Sequence, residues 1–193
     1  PVTVNSIVGT PRAAVTGSDI NASLDNSTAD DVAVKAQDVT TSESHVGSLS
    51  VGIGADGGAG VSAASDTLLL SRETAAELSG TDTAKKTVNG RNVAVTAGQQ
   101  STVVTNADGV AGAGGVYGAG AVAATAAATK LNGSVSATMK NITSTNKGLE
   151  ISAKHDHKTT LVSASAAVSA AMVSGAVGAG VGVVNDDFTT DAE

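Results

Sequence analysis

Gly58-Ala59-Gly60, Gly118-Ala119-Gly120 and Gly178-Ala179-Gly180 are one tripeptide recurring every sixty residues. Each opens a similar tail: GAGVSAAS at 58–65, GAGAVAAT at 118–125 and GAGVGVVN at 178–185. The opening PVTVN falls in the same phase, because Asn5, Ser65, Thr125 and Asn185 are each sixty apart. A fixed internal period marks a stacked architecture, in which each repeat buries its apolar face on its neighbour. The chain therefore reads as one solenoid segment over 1–193. Its approximate repeats are 1–65, 66–125 and 126–185, and 186–193 opens the next.

Two further blocks belong to the repeat. A hydrophobic-x-hydrophobic-x-Ala unit recurs as Val32-Ala33-Val34-Lys35-Ala36, Val93-Ala94-Val95-Thr96-Ala97 and Leu149-Glu150-Ile151-Ser152-Ala153. Upstream of it lie Ala22-Ser23-Leu24-Asp25-Asn26, Ala76-Glu77-Leu78-Ser79-Gly80 and Ala137-Thr138-Met139-Lys140-Asn141. The distance between blocks varies by several residues, which places insertions in loops between fixed strands. The two-residue alternation of the blocks, and of Ser48–Gly54, is the period of a half-buried strand. Asn89-Gly90 and Asn132-Gly133 read as turn dipeptides. Helix has two footholds, the alanine run 121–128 and the segment Ser71–Leu78, although glycines and threonines around the first weaken it.

Composition limits the core. With one Phe, one Tyr and no Trp in 193 residues, the interior must be filled by Ala, Gly, Val, Ser and Thr. Aromatic side chains usually dominate core energetics, so their absence suits a narrow interior held by strand ladders. A charged fraction of 15% and only two prolines argue for order rather than a disordered Gly/Ser/Thr chain. These features predict an all-β fold, a right-handed parallel β-helix. At about 20 residues per coil, each sixty-residue repeat makes roughly three coils, and the rod is about 45 Å long at the usual strand spacing.

There are no cysteines, so neither disulfides nor thiolate metal sites exist. A net charge of −7 disfavours nucleic acid as a partner. Pro1 in place of Met suggests an excised segment, with any signal peptide outside it. The uncharged stretch Leu161–Asn185 is long enough to span a bilayer. Its counterparts in the earlier repeats are polar, so it reads as one more rung of the repeat.

With these blocks in hand, the unit is GAG-V-x-V-N, a spacer, A-[ST]-[LM]-x-N, a loop, V-x-V-x-A, and an Ala/Gly/Ser-rich return. This resembles the repeat region of large bacterial surface exoproteins of the filamentous haemagglutinin-like and leukotoxin-like adhesin family, secreted by type V routes. The resemblance covers essentially the whole chain. It implies a right-handed β-helix on the cell surface or outside the cell, serving as adhesin shaft, with neighbouring solenoid repeats as partners and a host receptor or glycan as ligand. It carries no catalytic residues across.

Candidate chemistry is sparse. His155-Asp156-His157 would place two imidazoles on one face of a strand, half of a zinc or nickel site. Nothing completes it, and Lys154 and Lys158 flank it, so a solvated turn or outer face is expected. Gly54-Ala55-Asp56-Gly57-Gly58 suggests a calcium β-roll, but the Asp does not recur, since its counterpart is Val116. Asp30-Asp31 and Asp186-Asp187 read as solvated pairs beside turns. Lys130, Lys140, Lys147, Lys154 and Lys158 make 130–158 locally basic, either a solvated face or a patch for anionic glycans. Four N-glycosylation patterns begin at Asn21, Asn26, Asn132 and Asn141. There is no Gly-x-Ser-x-Gly elbow and no Gly-Lys-Ser or Gly-Lys-Thr phosphate loop. The expected assignment is no catalytic, cofactor or metal residue and a non-catalytic structural role, with a receptor- or glycan-binding module next and a β-helix carbohydrate hydrolase or lyase last.

Overall fold

The computed structural model describes residues 1–22 and 30–193 and is a parallel β-helix. The first turn is β1 (Val2–Gly9) and β2 (Arg12–Thr16), then β3 (Ile20–Asn21), then β4 (Val32–Gly54). The second is β5 (Gly58–Ser79), β6 (Lys86–Asn89) and β7 (Asn92–Gly115). The third is β8 (Gly118–Lys140), β9 (Ile142–Thr145) and β10 (Gly148–Ala170), and β11 (Val173–Ala192) begins a fourth. Like strands stack in parallel into three sheets: β1/β2-β5-β8-β11, β3-β6-β9 and β4-β7-β10.

One sixty-residue repeat therefore makes a single turn, not three. Val32 pairs with Val93, 61 residues on, and Val93 pairs with Leu149, 56 residues on. The 20-residue unit expected to close a coil is instead one strand: β4, β7 and β8 run 23, 24 and 23 residues without interruption. Each such strand is about 75 Å long, whereas the four layers of the first sheet rise only about 14 Å. The molecule is a broad, shallow slab rather than a 45 Å rod. Turns change at the tight bends 55–57, 116–117 and 171–172, and Leu161–Asn185 is the last of these arches, its two strands lying in different sheets. Among the described residues no helix is long and apolar enough to cross a membrane.

The Val-x-Val-x-Ala blocks stack as read: Val34 on Val95 on Ile151, and Ala36 on Ala97 on Ala153. With Leu78, Val88, Val135 and Ala137 they form the apolar core of the wide end. The Ala76–Gly80 and Ala137–Asn141 blocks also align. Their first-turn partner is Ala13–Gly17, because Ala13 pairs with Ala76 and Gly17 N–H donates to Ser79 O. The expected block at 22–26 lies almost wholly outside the described residues. Both helical expectations fail. Ser71–Leu78 is part of β5 and Ala121–Ala128 part of β8, because Ala121, Ala123 and Ala127 form an inner row between two close sheets. Asn89-Gly90 does sit at a corner. Asn132-Gly133 is mid-strand, and a Cβ at 133 would lie 2.9 Å from the Phe188 ring.

The slab narrows toward the bends. A Cβ on Gly58 or Gly60 would strike the carbonyls of Gly114 and Gly112 on the opposite sheet. Only Gly and Ala fit such a gap, which accounts for the composition at this end. The Gly-Ala-Gly phase itself is not kept in space. Gly58 lies beside Ala119, but Gly178 lies beside Ala123, a drift along the strand caused by the shorter third turn.

Candidate functional site

Between the apolar wide end and the Gly/Ala tip, the interior mixes polar side chains with a fully buried apolar cluster of Leu68, Leu70, Val103 and Leu131. Parity along each strand dictates this: Asp38, Thr40 and Ser44 share the inward face with Val34 and Ala36. Arg72 on β5 reaches across to Asp38 on β4, donating from Nε to Oδ2 at 2.7 Å and from Nη2 to Oδ1 at 2.5 Å. The pair is internal, with side chains only 16% and 3% exposed. The Asp38 carboxylate holds the Arg72 guanidinium above its ordinary pKa. Gly9 and Gly133 stack below and above Arg72, and a Cβ on Gly9 would strike the guanidinium. Glycine in these rows makes room for a side chain two layers thick.

A second polar set lies farther toward the tip. Ser44 donates to Asp66 Oδ1 at 2.7 Å and accepts from Asn5 Nδ2 at 2.6 Å. Asp66 Oδ2 has no partner and the residue is wholly buried. Thr105 and Thr129, 2.8 Å apart, and Ser48 and Ser62, 2.5 Å apart, join the two sheets at neighbouring levels.

Two of the three histidines, His155 and His157, project from the inward face of β10 rather than an outer face; His155 is partly buried, while His157 stays exposed, as does His45 on β4. His155 stacks in register on Gln99, which stacks on Asp38; His157 stacks on Ser101. The His155 ring lies against Phe188 of β11 at 3.9 Å between centroids, and against His157 at 5.1 Å. His157 Nε2 meets Asp186 Oδ2 at 3.0 Å. Burial lowers the His155 pKa below its ordinary 6.5, and the neighbouring His157 lowers it further, against Asp186 and Asp156. His155 Nε2 is buried without a hydrogen-bond partner. The parity of Ile151, Ala153, His155 and His157 carries the signal that both rings point inward. Among the described residues no three His, Cys, Asp or Glu side chains are placed to share a metal ion.

The other candidates disperse. Lys130 and Lys140 project from the first sheet, Lys154 and Lys158 from the third, and Lys147 lies in the bend before β10, so the five lysines form no common patch. Lys140 pairs with Glu193 at 3.0 Å. Asp186 and Asp187 are mid-strand rather than beside a turn, one facing His157 and the other outward. Asp31 sits at a corner, where hydrogen bonds from Arg91 and Asn92 lower its pKa. Asp56 is exposed at the tip. Asn132 and Asn141 are exposed, whereas the Asn26 pattern and part of the Asn21 pattern lie outside the described residues.

A surface groove of about 330 Å³ lies where the chain breaks from β1 to β2 at Thr10-Pro11 and uncovers the outer face of β5. Its walls carry Glu73, Glu77, Arg12, Ser136 and Thr138. Arg12 forms an ion pair with Glu77, and hydrogen bonds from Ser79 first and Arg12 second lower the Glu77 pKa. No known protein family, curated protein or solved structure matches this chain.

Proposed function

We propose that this chain is a non-catalytic structural segment, a shaft or stalk of a secreted or cell-surface filamentous adhesin. The observation that carries the reading is the one-repeat-one-turn register, because an architecture extended by adding sequence repeats is suited to spanning distance. Its polar groups support the same reading: the interior ones are largely spent on pairing one sheet with the other, as Arg72 with Asp38 and Ser44 with Asp66. The neighbours of such a segment are further solenoid repeats, and its setting is extracellular.

The groove beside Pro11 favours a second reading, a glycan-binding module, since Glu73, Ser136 and Thr138 offer acceptors and donors over an apolar floor of Ala75 and Ala76. The experiment is a panel of immobilised glycans and extracellular-matrix proteins probed with the labelled chain. A shaft gives no saturable binding. Saturable binding abolished by Glu73→Ala replaces the shaft with the binding module.

A further inference from the structure

The outer face of the first sheet near the tip is ordered in rows across the turns. Val61, Val122 and Val177 stack into one ridge. On one side runs a row of Ala59, Gly120 and Gly175, and on the other a row of Ala63, Ala124 and Ala179. The ridge is open to solvent: its valines are 69%, 46% and 61% exposed. Beyond the alanines, Ala126 and Ala128 continue the apolar field, beside exposed Val181 and Val183 on β11. The segments that build this face, 57–65, 118–129 and 173–185, contain no Asp, Glu, Lys or Arg.

We propose that this face binds a second copy of the same chain, side by side, through reciprocal insertion of the valine ridge into the Ala63-Ala124-Ala179 groove. Ridge and groove are neighbouring rows on one face. A two-fold axis parallel to them, set midway between, therefore brings each ridge over its partner's groove. Such an isologous pair closes on itself. The turn spacing of the two copies is identical, so the fit repeats at every turn.

Charge favours the same arrangement. Each chain carries −7, and the two-fold directs the charged wide ends of the two slabs to opposite sides while the tips, which expose Asp56 at the bend, overlap through uncharged sheet faces. The apolar field is about ten residues by three strand spacings, on the order of 500 Å² of sheet face per copy. That is below the roughly 800 Å² per partner of a standard stable interface, so the pair forms weakly, in the micromolar range. The third sheet also exposes apolar side chains, Leu49, Val51, Ile53, Val110 and Val168, but no row of it is a continuous valine ridge: Val51, Gly112 and Val168 stack, as do Leu49, Val110 and Ala166.

Sedimentation velocity across 1–200 µM chain tests the proposal. A concentration-dependent dimer is expected, abolished in Val122→Lys and retained in Val110→Lys on the opposite face. Val177→Lys on the outermost strand gives the same loss as Val122→Lys without a charge in a central turn, so a folding defect of Val122→Lys does not decide the result. A chain that stays monomeric throughout overturns the proposal, and so does a dimer that survives both ridge substitutions or is lost with Val110→Lys. Co-sedimentation of the wild-type chain with phosphatidylcholine vesicles, lost in Val177→Lys, assigns the ridge to lipid and overturns it as well.

Discussion

Gly60 and Gly118 belong to the same repeated tripeptide, yet the structure assigns them opposite tolerances. A Cβ at position 60 would lie 2.9 Å from the carbonyl carbon of Gly112 and closer still to its oxygen, where ordinary contact begins at 3.4 Å. The obstacle is backbone of the facing sheet, so no rotamer change relieves it. The two sheets must part by at least about half an ångström at the tip, a gap that forfeits a quarter to a half of each contact it opens. The inner row there is Ala111, Ala113, Ala121 and Ala123, whose small side chains cannot refill the space. Gly60→Ala is therefore expected to destabilise by about 2–3 kcal/mol, in the usual range for overpacking. At Gly118 a Cβ meets nothing within 4 Å. Gly118→Ala is therefore expected to be neutral or to stabilise by about 0.4–1 kcal/mol through the unfolded chain. Urea unfolding of both variants beside the wild type, followed by far-ultraviolet circular dichroism, measures the difference. Equal midpoints for the two variants, or a Gly118→Ala less stable than Gly60→Ala, refute the narrow-tip packing.

Arg72→Met strands the buried Asp38 carboxylate and is expected to cost about 3–5 kcal/mol in urea unfolding, with much of the loss recovered in the double variant Arg72→Met/Asp38→Leu. Leu78→Ala opens a cavity in the wide-end core, where Leu78 is wholly buried, and is expected to cost about 2–5 kcal/mol in the same assay. His155 has a folded pKa depressed below 6.5, so its contribution is complete above that value and is lost as pH falls below it. Amide protection factors in β10 and β11, corrected for the intrinsic pH dependence of exchange, should fall between pH 7.5 and 5.5, and His155→Phe should flatten the dependence. Glu77, whose folded pKa is also depressed, adds stability that is present above about 4.5 and lost on further acidification, to be read as a difference in the acid unfolding midpoint of Glu77→Gln.

The strand blocks were legible because their period and their register are the same fact. Val34, Val95 and Ile151 occupy one row in the sequence alignment and one row in the sheet. The size of the turn was not legible. A strand carries a signal for its direction of burial but none for its length, and two of the three arches are the unmarked pairs Val116-Tyr117 and Ala171-Met172. Nothing in those pairs resembles a turn dipeptide, so a 23-residue strand reads as two shorter ones. Asn132-Gly133 misleads in the opposite sense: its glycine answers to the Arg72 carbonyl of the turn before and the Phe188 ring of the turn after, contacts 61 and 55 residues away. The interior site was missed, since the sequence reading puts His155 and His157 on a solvated turn or outer face, although its signal is present. Parity alone places Asp38, His155 and His157 inside, but the partners Arg72, Asp186 and Phe188 come from the facing sheet, whose phase relative to the first depends on the bends.

The glycines of this chain do two different things, and both follow from the solenoid being stacked in rows. At the tip, Gly58 and Gly60 face backbone of the other sheet, so the constraint acts across the slab. In the middle, Gly9 and Gly133 flank Arg72 within one sheet, and Phe188 stacks on Gly133, so the constraint acts along the stack. The row Gly9–Arg72–Gly133–Phe188 alternates absent and large side chains, letting a guanidinium and an aromatic ring each fill two layers of an otherwise narrow interior. A repeat protein with identical units could not do this, since every layer would carry the large residue or none would. The divergence between repeats at 72, 133 and 188 is thus a packing requirement of the interior, and it fixes the order of the turns: exchanging the second for the third would set Arg72 beside Phe188 and leave the two glycines together.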